Sequence, residues 1–380
     1  MPEIVMRQTL PASVIISNYN YGRFLREAVD SALRQTYGNT EVIVVDDGST
    51  DGSREIIAIY GDQITPVLKE NGGQASAFNA GFAVSRGDVI FFLDADDMLL
   101  PTAVERAVPL FDSPEVAKVH WPLWVVDAQS RKNGQLFPGT KLAEGDLREV
   151  IVRNGPSNIA SPPTTGNSWS RQFLNRVLPV PEDEYGICAD DYLCALAPAF
   201  GVMKRIADPQ GFYRIHGNSN YTNLPFDEKL RLGMRAHEQQ CKTLQGFFSD
   251  LRIDVDPAAW KRTSWFHRLR LALEEIAAVI PEQSAFILVD DAQWGTGKYV
   301  VGRRAIPFLE CDGKYWGPPP DSAIAIEELG RLRSHGAEFI VFAWPSFWWL
   351  DFYSELHTYL QSHCRCVSKN DRLIAFKLSA

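Results

Sequence analysis

Two apolar runs that each end in aspartates, EVIVVDD at 41–47 and DVIFFLDADD at 88–97, constrain this chain more than any other feature. Both are short and β-rich, the pattern of strands buried on two faces. They belong to a series. SVIISNY (13–19) is a similar run, and 22–36 places Phe24, Leu25, Ala28, Val29, Ala32 and Leu33 on one helical face. After 41–47, GSTDGS offers Ser and Asp caps to a helix at 53–60. TPVLKE (65–70) reads as a third strand, 75–84 as a helix and 88–97 as a fourth strand. This alternation predicts an α/β fold: a Rossmann-like, mostly parallel sheet with helices on both faces. Ligands of such sheets sit beyond the carboxyl ends of the strands, so both acidic clusters are expected in one cleft.

Further along, the pattern predicts strands near 117–127 and 201–207 and a helix near 191–200. Residues 225–280 read as mostly helical, interrupted at 249–260. A second α/β unit starts near 283, with strands at 286–291, 338–344 and 372–378 and helices at 321–335 and 348–363. A chain of 380 residues has room for two domains. The expected division is a catalytic domain at 1–222, a helical linker at 223–282 and a small C-terminal α/β domain at 283–380.

A formal net charge of −9 argues against sequence-independent binding to nucleic acid, which needs a basic surface. No apolar segment has the length of a signal peptide or a membrane span, and the longest apolar run, 339–350, is broken by Pro345. The expected location is the cytoplasm, with peripheral contact at the inner membrane face. None of the six cysteines forms a CxxC pair, so buried thiols in a reducing compartment are expected rather than structural zinc.

The acids carry the chemistry. In FFLDADD, Asp94, Asp96 and Asp97 repel one another unless a cation or hydrogen bonds compensate. Hard oxygen ligands suit Mg²⁺ or Mn²⁺, and a substrate diphosphate could complete the shell. In VVDDGSTDGS, Asp47 could accept from a base N–H or a ribose hydroxyl, or merely close an Asx turn. Asp190 and Asp191 open a helix, where a carboxylate can serve as a general base or simply favour the helix N-terminus. Trp169 could stack on a sugar or fill a core. GTGKY (295–299) fails as a phosphate loop because no Ser or Thr follows Lys298. HEQQC (237–241) fails as a zinc motif because Cys241 replaces the second His. In the C-terminal unit, Trp294, Trp316, Trp344, Trp348 and Trp349 accompany acids at strand ends. They read as core, with glycan or partner binding as the alternative.

SVIISNYNYGRFLREAVDSALRQTY, EVIVVDDGSTDGS, ENGGQASAFNAGFAVSRGDVIFFLDADD and GFYRIHGNSN occur in the order seen in family 2 glycosyltransferases of the GT-A fold. The chain resembles that family densely across roughly residues 12–110 and more sparsely to 222. The resemblance implies a nucleotide-diphospho-sugar transferase of the kind that builds bacterial polysaccharides and glycoconjugates. Inversion and dependence on Mn²⁺ or Mg²⁺ are implied with it. The donor would be a nucleotide-diphosphate sugar, UDP by default, and the acceptor a glycan, a lipid-linked group or a protein. Carried over residue by residue, it implies donor binding by Ser17, Tyr19, Asp47, Asn71, Gly73, Asp94 and Asp96. It implies metal binding by Asp96 and Asp97 with His216, a general base at Asp191, and an acceptor side with Trp169 and Asp190. The chain departs from the family at Phe78, where many relatives carry Arg, and lacks the Arg common downstream of Asp191. A nucleotidyltransferase would show a glycine-rich loop with a basic residue after strand one, which SNYNYGRF does not supply. A catalytically inactive glycan- or partner-binding protein is the remaining alternative.

Overall fold

The computed structural model describes residues 9–217, 224–295 and 299–378. The chain divides into two units, Met1–Asn223 with Arg235–Lys261, and Leu224–Met234 with Arg262–Ala380. The 223–282 stretch is thus shared between them, and the helix Phe226–Asp250 crosses the division.

Unit one is built on an eight-stranded sheet. Its strands are β1 (Ala12–Asn18), β2 (Thr40–Asp47), β3 (Thr65–Lys69), β4 (Val89–Asp94), β6 (Val116–His120), β9 (Gly145–Asp146), β10 (Asn167–Ser170) and β11 (Val202–Arg205). The order across it is β3-β2-β1-β4-β10-β6-β11-β9. A smaller sheet, ordered β5-β12-β7-β8, joins β5 (Met98–Leu99), β7 (Leu123–Val126), β8 (Lys132–Phe137) and β12 (Gly211–Arg214). β1 is parallel to β2 on one side and to β4 on the other, and β2 is parallel to β3. The chain therefore runs outward through β2 and β3, then returns to the far side of β1. Strand order reverses between β1 and β4.

Alternation along the central strands explains why they are apolar throughout. Val14, Ile16, Val44, Phe91 and Leu93 pack with Leu25, Ala28 and Val29 of the helix Gly22–Leu33. Ile15, Ile43, Val45, Ile90 and Phe92 pack on the other face with Phe78 and Leu193. A side chain of this size is stabilised by roughly 1.5–3 kcal/mol on full burial, so both faces hold the sheet. The expected strand at 88–97 ends at Asp94, and Asp97 N–H donates to the Asp94 carbonyl at 3.0 Å, so the later acids sit in a turn. The expected strand near 117–127 is two strands in different sheets, parted at Trp121 and Pro122, where proline has no N–H for a ladder.

Unit two holds β13 (Ala285–Val289), β14 (Tyr299–Val300), β15 (Arg303–Pro307), β18 (Ala337–Ala343), β19 (Cys364–Lys369) and β20 (Leu373–Leu378) in one sheet. Their order is β14-β15-β13-β18-β20-β19. A hairpin of β16 (Glu310–Cys311) and β17 (Lys314–Tyr315) stands apart. β13 is parallel to both β15 and β18, so order reverses again, here between β13 and β18. The first strand stops at Val289, leaving Asp290 and Asp291 beyond it. The expected helix at 348–363 is two, Trp348–Phe352 and Ser354–His363. Asp321 caps the helix Ser322–Ser334 by accepting from Ile324 N–H at 2.9 Å.

No disulfide joins the cysteines, and the expectation of buried thiols holds only in part: Cys241 is buried, whereas Cys188, Cys311 and Cys366 are exposed. Among the described residues no helix is long and apolar enough to cross a membrane. GTGKY falls partly outside the described residues.

Candidate active site

A cleft of about 500 Å³ opens where β1 and β4 end. Ser17, Asn18, Tyr19, Asp47, Asn71, Gly73, Asp94, Asp96 and Asp190 all line it, together with Gln74, Thr164, Tyr213 and Arg214. Every donor-side residue named from the sequence is therefore brought to one place. Asp191, Asp97, His216 and Trp169 are not among the lining residues.

The donor side begins with Asp47. It closes β2 and is buried, and its oxygens accept from Lys69 Nζ at 2.6 Å, Gly72 N–H at 3.0 Å and Gly73 N–H at 2.7 Å. Asn71 Nδ2 adds a bond at 3.2 Å. With both oxygens engaged, Asp47 anchors the 71–73 loop, a different task from accepting a hydrogen bond from a base. Gly73 has φ of 84°, and a Cβ there would lie 2.4 Å from the Gly186 carbonyl oxygen. Only glycine lets the two segments meet so closely. Asp46 is turned away into bonds with Asn18, Ser49 and Arg54.

Gln74 was missed as a site residue, although it stands in the quoted NGGQ stretch. Its Nε2 donates to Asp94 Oδ1 at 3.1 Å and to Thr164 Oγ1 at 3.3 Å. Its Oε1 accepts from Ala189 N–H at 2.9 Å. One amide thus ties the β4 carboxylate to the start of the helix Ala189–Phe200, which carries Asp190 and Asp191.

The three acids after β4 have separate fates. Asp94 faces the cleft, and burial, followed by the charges of Asp96 and Asp190, raises it to about 7. Asp96 also faces the cleft and accepts from His216 Nε2 at 2.9 Å. Asp97 is buried, accepting from Arg214 N–H and Thr165 Oγ1, both at 2.8 Å. Its expected place in the cleft is corrected: both oxygens hold the turn, and burial pushes the acid well above the carboxylate range.

His216 is corrected in the same way. Arg23 lies 3.1 Å from Nδ1, and a guanidinium only donates, so Nε2 carries the proton that reaches Asp96. His216 as placed orients Asp96. Arg214, another residue the sequence reading passed over, is almost wholly buried. It donates to the Asp96 carbonyl at 2.7 Å, Ser130 at 2.8 Å and Glu27 at 2.9 Å, clamping the acidic turn. It stands two residues before His216 in the same motif.

Trp169 is corrected as well. It is 1 % exposed, its ring stacked on Phe173 at 5.8 Å with Lys118 Nζ 5.0 Å away, so no sugar can reach it. Phe78, in the position of the family arginine, is core and stacks on Phe92 at 3.9 Å. At the helix start both acids were expected at the site, Asp191 as the base and Asp190 on the acceptor side; Asp190 lines the cleft and Asp191 does not. Burial raises both.

Among the described residues no three His, Cys, Asp or Glu side chains are grouped as a ready metal cage. Asp94 and Asp96 nevertheless fit a divalent cation. Both are hard oxygen donors facing one cleft, and Mg²⁺ is commonly held by one or two carboxylates with substrate phosphates completing the shell.

Comparison with known proteins gives the family. A family model described as Glycosyl transferase family 2 matches residues 13–162. An uncharacterized glycosyltransferase of Nostoc sp. is 34% identical over 284 residues, which cover 70% of this chain and 85% of that protein. An uncharacterized glycosyltransferase of Rickettsia typhi is 44% identical over 100 residues, 26% of this chain and 31% of the relative. Among solved structures, a mannosyltransferase of Pyrobaculum calidifontis in complex with GDP-Man and Mn²⁺ is similar at 17% identity and a TM-score of 0.46, over 72% of this chain and 76% of that one.

Proposed function

Because the chain belongs to glycosyl transferase family 2, and so is a glycosyltransferase of GT-A fold, we propose that unit one moves a sugar from a nucleoside-diphosphate sugar to an acceptor hydroxyl, with inversion and with the help of a divalent cation. The observation that carries this reading is the meeting of Asp94, Asp96 and Asp190 in one cleft at a strand-order reversal. A diphosphate approaching these carboxylates is repelled unless a cation intervenes. Bound by Asp94 and Asp96, Mg²⁺ or Mn²⁺ would neutralise charge on the departing nucleoside diphosphate. Family membership sets the nucleotidyltransferase alternative aside.

The remaining work falls to the chain's own side chains. Ser17, Asn18 and Tyr19 line the donor side, faced by the loop that Asp47 fastens. Gln74 holds Asp94 in register with the helix bearing Asp190. Asp190 takes the proton from the acceptor hydroxyl as it attacks the anomeric carbon, the role the family resemblance implied for Asp191. Its raised pKa is in the direction that favours a general base. The acceptor belongs to a cell-surface polysaccharide or glycoconjugate, glycosylated at the cytoplasmic face. The resemblance of the four motifs supports that class.

Calorimetric titration of the full chain with UDP-, GDP-, dTDP- and CDP-sugars, with and without Mn²⁺, tests the reading. Metal-dependent binding of one donor is expected. A folded chain that binds none of the four with metal present overturns it.

A further inference from the structure

Unit two carries, at its own strand-order reversal, an arrangement that sugar transfer does not use. Open α/β sheets bind ligands beyond the carboxyl ends of the strands at such a reversal, here between β13 and β18. The turn after β13 is strained: Asp291 and Ala292 have φ of 50° and 56°, a region that residues other than glycine seldom occupy. Asp290 braces it from below, accepting from Ala292 N–H at 3.1 Å and Trp294 N–H at 2.9 Å. The braced turn presents the Asp291 carboxylate to the segment after β18. Oδ1 accepts from Trp349 Nε1 at 2.9 Å and from the Tyr315 hydroxyl at 3.1 Å. Oδ2 accepts from Trp348 Nε1 at 3.0 Å. Trp349 is fully buried, yet Trp348 is 42 % exposed, Phe352 68 % and Trp316, next to Tyr315, 75 %. The Trp348 and Phe352 rings lie 5.9 Å apart.

We propose that this strand-end surface is a saccharide-binding site. Three donors from uncharged side chains already compensate Asp291, so the arrangement calls for no cation. The carboxylate itself repels phosphates and acidic groups. What remains is a fixed acceptor flanked by exposed aromatic faces. A sugar ring is the complement of that surface: its C–H face covers an indole while its hydroxyl edge donates. Asp291 Oδ2 receives one of these donors and retains capacity for a hydroxyl. A role in the core accounts for Trp349, and for Tyr353, whose hydroxyl donates to the Pro319 carbonyl at 2.6 Å. It leaves the exposure of Trp348 and Phe352, whose rings lie together, unexplained, and apolar area gathered on a surface marks binding sites.

The inference does not rest on the donor chemistry of unit one. Saturation-transfer NMR of the full chain with maltotriose, cellotriose, mannotriose and chitotriose, and with choline as a cationic comparison, tests it. At least one trisaccharide should receive saturation on its ring protons. Trp348→Ala and Asp291→Asn should each weaken that binding by about tenfold or more. Circular dichroism and nucleotide binding by unit one should stay as in the parent chain. Trp348→Phe, which keeps a ring but loses the N–H, should lie between, separating stacking from any loss of structure. The site is overturned if no trisaccharide binds, if both substitutions leave binding intact, or if choline alone binds. Loss of nucleotide binding alongside intact saccharide binding would count against the proposed transfer reaction and leave this site standing.

Discussion

Both units put acids at the end of a parallel strand where strand order reverses, but they treat those acids in opposite ways. In unit one, Asp94 shares a cleft with Asp96 and Asp190, and burial, followed by the charges of those two acids, raises it to about 7. In unit two, Asp291 receives two indole N–H groups and a tyrosine hydroxyl. Topology places a binding region in each case; the donors around each carboxylate decide what it can do. Acids crowded into one buried cleft are poised to attract a cation or a proton. An acid surrounded by them is a fixed acceptor. The comparison cautions against assigning chemistry from strand-end acids alone, because the two patterns look alike as sequence.

The sharpest way to break the contrast is Asp190→Asn. It should lower kcat by about a thousandfold while donor binding persists, since it removes the base and leaves the cleft's shape. Asp191→Asn should cost far less, and equal losses would return the base to Asp191. Arg214→Met tests whether the acidic turn is held from behind. Losing the buried bonds to the Asp96 carbonyl, Ser130 and Glu27 should destabilise unit one by about 3 kcal/mol in denaturant titrations. Asp96→Asn, or chelation of the parent chain with EDTA, should weaken donor binding by about tenfold to a hundredfold in calorimetry. Binding that ignores both would remove the cation from the account.

A smaller effect is confined to unit one. His120 is buried at the end of β6, bonded to the Ala143 carbonyl at 2.8 Å, and burial holds its pKa down to about 3. The unfolded chain takes up this proton near pH 6.5, and the folded chain does not until about 3. Stability should therefore fall as pH drops below 6.5, by about 1.4 kcal/mol per unit from this group. His120→Gln should flatten that slope in hydrogen exchange of unit-one amides. Smallest of all, Asp291→Ala should lower the stability of unit two by about 1 kcal/mol through three lost hydrogen bonds, two of them from partly solvated donors.

How far the sequence could be read follows from what each signal reports. Apolar periodicity located β1, β2 and β4 because burial on both faces forces unbroken runs, and of the acids at their ends Asp47, Asp94 and Asp96 line the cleft as expected, whereas Asp46 and Asp97 do not. Periodicity says nothing about which way a side chain turns at a helix start, so Asp190 and Asp191 could not be told apart. It also reports composition rather than contact: Trp169 looked equally suited to stacking and to packing until Phe173 and Lys118 were seen beside it. Gln74 and Arg214 escaped notice because their work is long-range. Gln74 meets Ala189, and Arg214 meets Glu27, each across more than a hundred residues of chain. In unit two, β15 and β19 were not anticipated, since short, partly exposed strands carry little alternation.

The placement of β10 bears on how this molecule is made. It is antiparallel to β4 on one side and to β6 on the other, so β6 has no neighbour in the sheet's first half until residues 167–170 arrive. A chain emerging from the ribosome can assemble β1 to β4 early, but the edge of β4, with its Val-Ile-Phe-Phe-Leu run, then waits for more than seventy residues of further synthesis before it is paired. An unpaired apolar edge of that kind invites pairing with another chain. The strand that delivers Asp94 to the cleft is thus also the nascent chain's exposed flank, and expression conditions that slow synthesis between residues 95 and 170 should favour aggregation.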